Sequence, residues 1–272
     1  MGIKKIIHPS FEAAQALYSV YSTIADNYTL EDALNKYVDS SFLATLDYSN
    51  IREIYNQILL EYYPNESCIK AEFINHILLK GKSHVSIFEL PVGSSRADLC
   101  KINGASIAYE IKTDLDNFSR LSKQINDYLS IFEFVYVICS SKKEHEIMEY
   151  IPNECGIYTY RINRRGNYQF ELVKKASLST HINSQKQLSL LRKNEFKNYF
   201  NISIENYSKL DSINQVLHSY DSTTINNQFK IILKYRYLKQ WNFLKDHKEQ
   251  ILEIDYQWFF KNPIAPPLIY NY

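Results

Sequence analysis

Four cysteines, seven histidines, six glycines and seven prolines are few for 272 residues, and their placement excludes more than their number does. Cys68, Cys100, Cys139 and Cys155 lack metal-type spacing, and the scattered histidines form no His-x-x-x-His pair, which argues against a zinc enzyme. Free thiols in a reducing compartment are expected instead, with Cys139 inside an apolar strand. No apolar run is long enough to span a bilayer, and Met1-Gly2-Ile3-Lys4-Lys5 has no signal-peptide pattern. Ile6 does not fit a myristoylation signal. The sequence shows neither an internal repeat nor a low-complexity linker. A cytoplasmic protein with no membrane partner is the expectation.

What is present is ordinary in amount and uneven in placement. A hydrophobic content of 45% and a charged content of 22% suit a globular chain with a real core. The net charge of +1 hides an asymmetry: residues 161–248 hold 16 Lys/Arg against 6 Asp/Glu, and the remainder holds 15 against 24. Phosphate attraction would therefore fall on the C-terminal half. The 23 tyrosines could supply stacking surfaces as well as packing.

Periodicity divides the chain into three segments: a helical region over 1–65, an α/β core over 66–176 and a second helical region over 177–272. Ser10 and Thr29 are N-cap candidates for helices, and Asn50 precedes Ile51, Ile54, Ile58 and Leu59, again at helical spacing. Glu72 adjoins the stripe of Ile69, Phe73, Ile74, Ile77 and Leu78, where it could reach an enclosed site or stand at the surface. Val85–Leu90 reads as a strand, with Glu89 late in it. Asp114 and Asp116 precede a helix over about 117–131, where capping and metal binding are both open to them. Phe134–Cys139 is continuously apolar, as in a strand covered on both faces. Strands near 156–161 and 168–173 complete the core. Further on, residues 228–243 interleave Lys230, Lys234, Arg236 and Lys239 with Tyr235, Tyr237 and Trp241, a pattern suited to backbone charge plus base stacking or to an ordinary amphipathic helix. The tail from Pro263 to Pro267 carries no readable chemistry.

The chemistry concentrates between Arg96-Ala97-Asp98-Leu99 and Tyr109-Glu110-Ile111-Lys112. Both arms alternate apolar and polar residues around Asn103-Gly104, which predicts a β-hairpin. Glu110 and Lys112 then project together. A two-residue turn would pair Asp98 with Tyr109 and turn it away. A three-residue loop, Ile102-Asn103-Gly104, would pair it with Ala108 and bring Asp98, Glu110 and Lys112 to one face; only that register sorts polar from apolar residues, so the three-residue loop is the expectation.

An Asp followed by Glu-X-Lys on the next strand resembles the metal-dependent PD-(D/E)XK nuclease superfamily. Gln124 and Tyr128, four apart in a helix, resemble the Gln-x-x-x-Tyr motif of its RecB-like branch, and the longer run is similar to a largely uncharacterised bacterial family. The resemblance covers Glu72 to Cys139, with Ala97 where the superfamily name has Pro. It implies an α/β fold with a restriction-endonuclease-like core, a mixed sheet flanked by helices, carrying N- and C-terminal helical extensions. It also implies a Mg²⁺- or Mn²⁺-dependent nuclease acting on DNA. In that reading Asp98, Glu110 and the Ile111 carbonyl hold the metal, with Glu72 as an outer ligand. Lys112 orients the attacking water, and Gln124 and Tyr128 position phosphate or metal-bound water. By association it suggests a mobile element and phage defence, with a homodimer or a protein partner open.

The rival reading is a non-catalytic nucleic-acid-binding or protein-interaction module. On that view Asp98, Glu110 and Lys112 form a cross-strand ion-pair cluster.

Overall fold

The computed structural model describes residues 6–81, 83–163, 166–202 and 208–270. Met1 to Lys5, read above for a signal peptide, lie outside them, as do Arg164 and Arg165 of the basic segment. The N-terminal helices are α1 (Phe11–Val20), α2 (Asn27–Tyr37), α3 (Ser40–Leu43), α4 (Ile51–Tyr62) and α5 (Glu66–Phe73). Strands β1 (Val85–Val92), β2 (Ser95–Ile102) and β3 (Ser106–Lys112) lead to α6 (Leu121–Leu129) and β4 (Phe134–Ser140). Then come α7 (Glu144–Met148), β5 (Gly156–Ile162) and β6 (Tyr168–Lys174). The C-terminal part holds α8 (Ser184–Ser189), α9 (Lys193–Phe200), α10 (Lys209–Ser219), α11 (Ser222–His247), α12 (Tyr256–Lys261) and α13 (Pro266–Tyr270).

These elements form two compact units, and neither is one stretch of chain. The first comprises residues 1–76, 161–169 and 242–272; the second comprises 77–160 and 170–241. The division cuts across the three segments expected in chain order. Its physical reason lies in the tail, which packs instead of trailing. In the first unit the Asp255 carboxylate accepts the hydroxyls of Tyr21 at 2.8 Å, Thr23 at 2.6 Å and Tyr270 at 2.8 Å. Asp255 and Tyr270 are both buried, so these bonds join the last helices to the first turns of the chain.

Local chemistry explains the helix starts. Ser10 caps α1 through Ala13 N–H at 3.2 Å, Asn50 caps α4 through Arg52 N–H at 2.9 Å and Asn65 caps α5 through Cys68 N–H at 3.2 Å. For α2 the cap is Asp26, which accepts the Thr29 N–H at 2.9 Å, so the helix begins before the expected Thr29. Neither Asp114 nor Asp116 caps α6. Asp116 instead closes a loop onto Thr113, and Asp114 accepts the Ser140 hydroxyl.

The second unit is built on a six-stranded sheet in the order β1-β2-β3-β4-β5-β6. The first three strands run antiparallel, and β3, β4 and β5 are parallel. The hairpin register is Cys100 opposite Ala108 and Ile102 opposite Ser106, which leaves Asn103-Gly104-Ala105 as the loop. The three-residue length agrees with the expectation, but its position is one residue later. Continuing this register sets Asp98 opposite Glu110 rather than Ala108. A two-residue slip preserves the faces, so Asp98, Glu110 and Lys112 still share one side. No described helix is long and apolar enough to cross a membrane.

Candidate functional site

Two places in the second unit carry the residues singled out by the sequence. The first is the polar cluster on the sheet. Asp98, Glu110 and Lys112 are only 8, 1 and 8% exposed. Burying three charges is costly unless each has partners. Here each has them. The Ile111 N–H donates to Asp98 Oδ2 at 2.7 Å, Lys112 Nζ to Glu110 Oε1 at 2.8 Å and to Gln124 Oε1 at 3.1 Å. The Tyr128 hydroxyl lies 2.7 Å from Glu110 Oε2 and 2.7 Å from the Arg96 carbonyl. With one proton to give, the phenol donates best to the charged carboxylate. Burial, and next the Glu110 charge, push the Tyr128 pKa well up, so it stays a donor. The buried Cys100 thiol is likewise pushed up by burial and then by Asp98 and Glu89, which makes it inert.

Thus Asp98, Glu110, Ile111, Lys112, Gln124 and Tyr128 do come together on β2, β3 and α6. What they form is a seam joining two strands to a helix. Glu72 belongs to the first unit, where its carboxylate is 3.2 Å from His76 Nε2. Burial, and next the charge of Glu253, push its pKa up to about 7. Glu89 adopts a left-handed backbone (φ 55°) in the middle of β1 and pairs with Arg96 at 2.5 Å. A non-glycine residue there costs about 1 kcal/mol or more.

The second place is the surface of α9 and α11. Residues 177–241 hold nine Lys/Arg against four Asp/Glu. Among the described residues, two of those cations are held in ion pairs. Lys230 donates to Glu133 at 2.7 Å, and Arg236 clamps Glu195, with its Nε 2.9 Å from Oε1. Trp241 is fully buried. The interleaved run is therefore partly an amphipathic helix. What it leaves outward is a ridge at i, i+4, i+8: Ile231, 42% exposed, Tyr235, 65% exposed, and the exposed Lys239. The Tyr199 ring of α9 lies 6.4 Å from that of Tyr235, and Lys234 flanks it.

Glu133 and Glu195, which sort these cations into inner and outer ones, were not singled out by the sequence. Their partners lie 97 and 41 residues away. No local spacing links them.

A curated relative, Protein cII of Enterobacteria phage P4, is 32% identical over 108 residues. The aligned stretch is 40% of this chain and 40% of that protein, so the chain spans about two fifths of the length of the relative it matches. No solved structure matches. The family model that does match, over residues 61–257, is described as Bacteriophage P4 protein cII.

This match overturns the nuclease assignment. The chain is placed outside the PD-(D/E)XK superfamily, and the restriction-endonuclease-like core goes with that assignment. Phosphodiester hydrolysis, the Mg²⁺ or Mn²⁺ cofactor and the phage-defence association fall with it. The physical reason for the misreading is that Asp and Glu-X-Lys on paired strands also satisfy one another. Carboxylate oxygens expected on a metal accept the Ile111 N–H, the Lys112 ammonium and the Tyr128 hydroxyl instead. DNA as the substrate of cleavage falls as well. By the match over residues 61–257, the chain belongs to the Bacteriophage P4 protein cII family.

Proposed function

We propose that the protein is a non-catalytic nucleic-acid-binding module whose contact surface is the α9–α11 ridge around Tyr235. The observation that carries this reading is the exposure of Tyr235, 65%, between Lys234 and Lys239 and beside Tyr199. An aromatic ring held outward among cations accepts an unstacked base while the ammonium groups meet the backbone. Lys230 and Arg236, locked to Glu133 and Glu195, set the helix in place and make no such contact. DNA is the preferred partner in this reading, and the cytoplasm the preferred location, since the four cysteines are free and buried and suit a reducing compartment.

Fluorescence anisotropy with labelled single- and double-stranded DNA and RNA tests it. Binding that weakens about tenfold in Tyr235→Ala and in Lys234→Ala/Lys239→Ala, at unchanged thermal stability, is the expected result. Equal binding by these variants would remove the surface from the reading. Absence of binding to any strand would favour the protein-interaction module.

A further inference from the structure

In the first unit, α2 and the stretch from α3 into α4 line a half-open cavity of about 440 Å³ that the proposed interface does not use. Its volume lies within the range of roughly 300–1,000 Å³ typical of small-ligand sites. Its lining is mostly polar, with an apolar part from Leu34, Leu43, Ile51 and Ile54. Around it stand Asn27, Glu31 and Asn35 of α2, spaced four apart and so on one helix face with Leu34, and Tyr48 from the loop before α4.

The polar groups divide into those already engaged and those left to a ligand. Asn27 Oδ1 accepts from Arg52 Nη1 at 2.7 Å, Asn50 donates to the Tyr270 carbonyl at 2.7 Å and accepts the Arg52 N–H, and the Ser49 hydroxyl donates to Glu53 at 2.8 Å. Among the described residues nothing engages the Glu31 carboxylate, the Asn35 amide or the Tyr48 phenol. Among the described residues, Glu31 is the only charged one lining the cavity.

We propose that this cavity binds a primary alkylammonium group, its alkyl stem against the leucine and isoleucine side chains of the lining and its charge on the Glu31 carboxylate, with the Tyr48 ring of the same lining in support. Three features select that chemistry. A lone carboxylate repels phosphates and carboxylates and attracts a cation. An aromatic ring beside it adds cation–π attraction. The Leu34, Leu43, Ile51 and Ile54 side chains in the lining take the methylene stem that such a cation carries. Two sources present this group: a lysine side chain on a partner peptide and a free aliphatic diamine.

The test is calorimetric titration of the full chain with 1,5-diaminopentane, with a lysine-containing peptide and its Nε-acetylated form, and with 1-pentanol. One-to-one binding of the diamine or the lysine peptide is expected, with none of pentanol or the acetylated peptide. Binding of the peptide alone would assign a protein partner, and binding of the diamine alone a free amine. Glu31→Gln should weaken the interaction about tenfold, a loss of one well-placed charge. Glu31 is exposed, so the variant keeps its fold; Asp32→Asn, on a different face of α2, should bind as the unaltered chain does. Pentanol binding as well as the amine, equal weakening by Asp32→Asn, unchanged affinity in Glu31→Gln, or no binding of either amine at millimolar concentration would each overturn the proposal.

Discussion

Lys230 of α11 meets Glu133 at 2.7 Å, and the same carboxylate accepts the Ser106 N–H at 2.7 Å and the Asn226 amide at 2.9 Å. Lys230 also donates to the Gly104 carbonyl at 2.8 Å. One acid thus ties the β2–β3 turn, the start of β4 and the long helix together.

Burial raises the Glu133 pKa, but Lys230, Ser106 and Asn226 outweigh it and hold the group below the usual carboxylate range. A depressed carboxylate contributes stability above its unfolded pKa, about 4.3, and loses it as pH falls through the lower folded value. Glu133→Ala should therefore cost about 3 kcal/mol at pH 7, with the Lys230 charge left unpaired. The cost should shrink steadily below about pH 4. Urea unfolding across that range measures both effects. A pH-independent loss would show that packing, not charge, is at stake.

The buried seam makes different forecasts for single and paired substitutions. Lys112→Met leaves Glu110, 1% exposed, without its cation and should cost about 3–5 kcal/mol. Lys112→Met combined with Glu110→Gln should recover most of that loss. Tyr128→Phe, which removes only the donor to Glu110 Oε2, should cost about 1–2 kcal/mol. None of the three should change nucleic-acid affinity once folding is matched.

The seam also shows how far the sequence could be read. Asn103-Gly104 marked the hairpin, and alternation sorted Asp98, Glu110 and Lys112 to one face, because both signals are local. The loop's place was read one residue early, because Ile102 pairs with Ser106 and Ala105 takes the third loop position. What Glu110 does was not legible, since its partners Lys112 and Tyr128 suit a metal site or an ion-pair seam equally well. Lys230 and Arg236 looked like available cations for the same reason: Glu133 and Glu195 sit far off in the chain. The tail looked inert because Asp255 gathers the hydroxyls of Tyr270, Tyr21 and Thr23 only after folding.

That last relationship is testable. Asp255→Ala strips an acceptor from three hydroxyls, two of them on the far end of the chain, and should cost about 3 kcal/mol. Asp255→Asn keeps one acceptor oxygen and should lose less. Chemical denaturation ranks the two; equal losses would mean that charge, not acceptor geometry, holds the tail.

Glu72 predicts the reverse pH behaviour from Glu133. Burial and Glu253 push its pKa up to about 7. A raised carboxylate contributes stability that is full below its unfolded value near 4.3 and is lost as pH rises through about 7. Glu72→Gln should then stabilise the protein by about 2 kcal/mol at pH 8 and by almost nothing at pH 4. Partial offset comes from His76, 3.2 Å away, wherever it is protonated. Thermal melts at the two pH values decide, and stabilisation at pH 4 alone would reverse the sign.

The salt dependence of binding separates outward cations from inward ones. If Lys234 and Lys239 meet phosphates, each Lys→Ala change should lower the slope of log K against log salt by about 0.7 on a single strand and 0.9 on a duplex. Lys230→Ala should leave the slope unchanged, since its ammonium faces Glu133 and the Gly104 carbonyl. Tyr235→Ala should weaken binding on a single strand more than on a duplex, because only unpaired bases offer a free face, and should leave the slope as it was. Charge and ring thus leave different signatures in one titration series. A slope that moved with Lys230 but not with Lys239 would place the contact surface on the other side of α11.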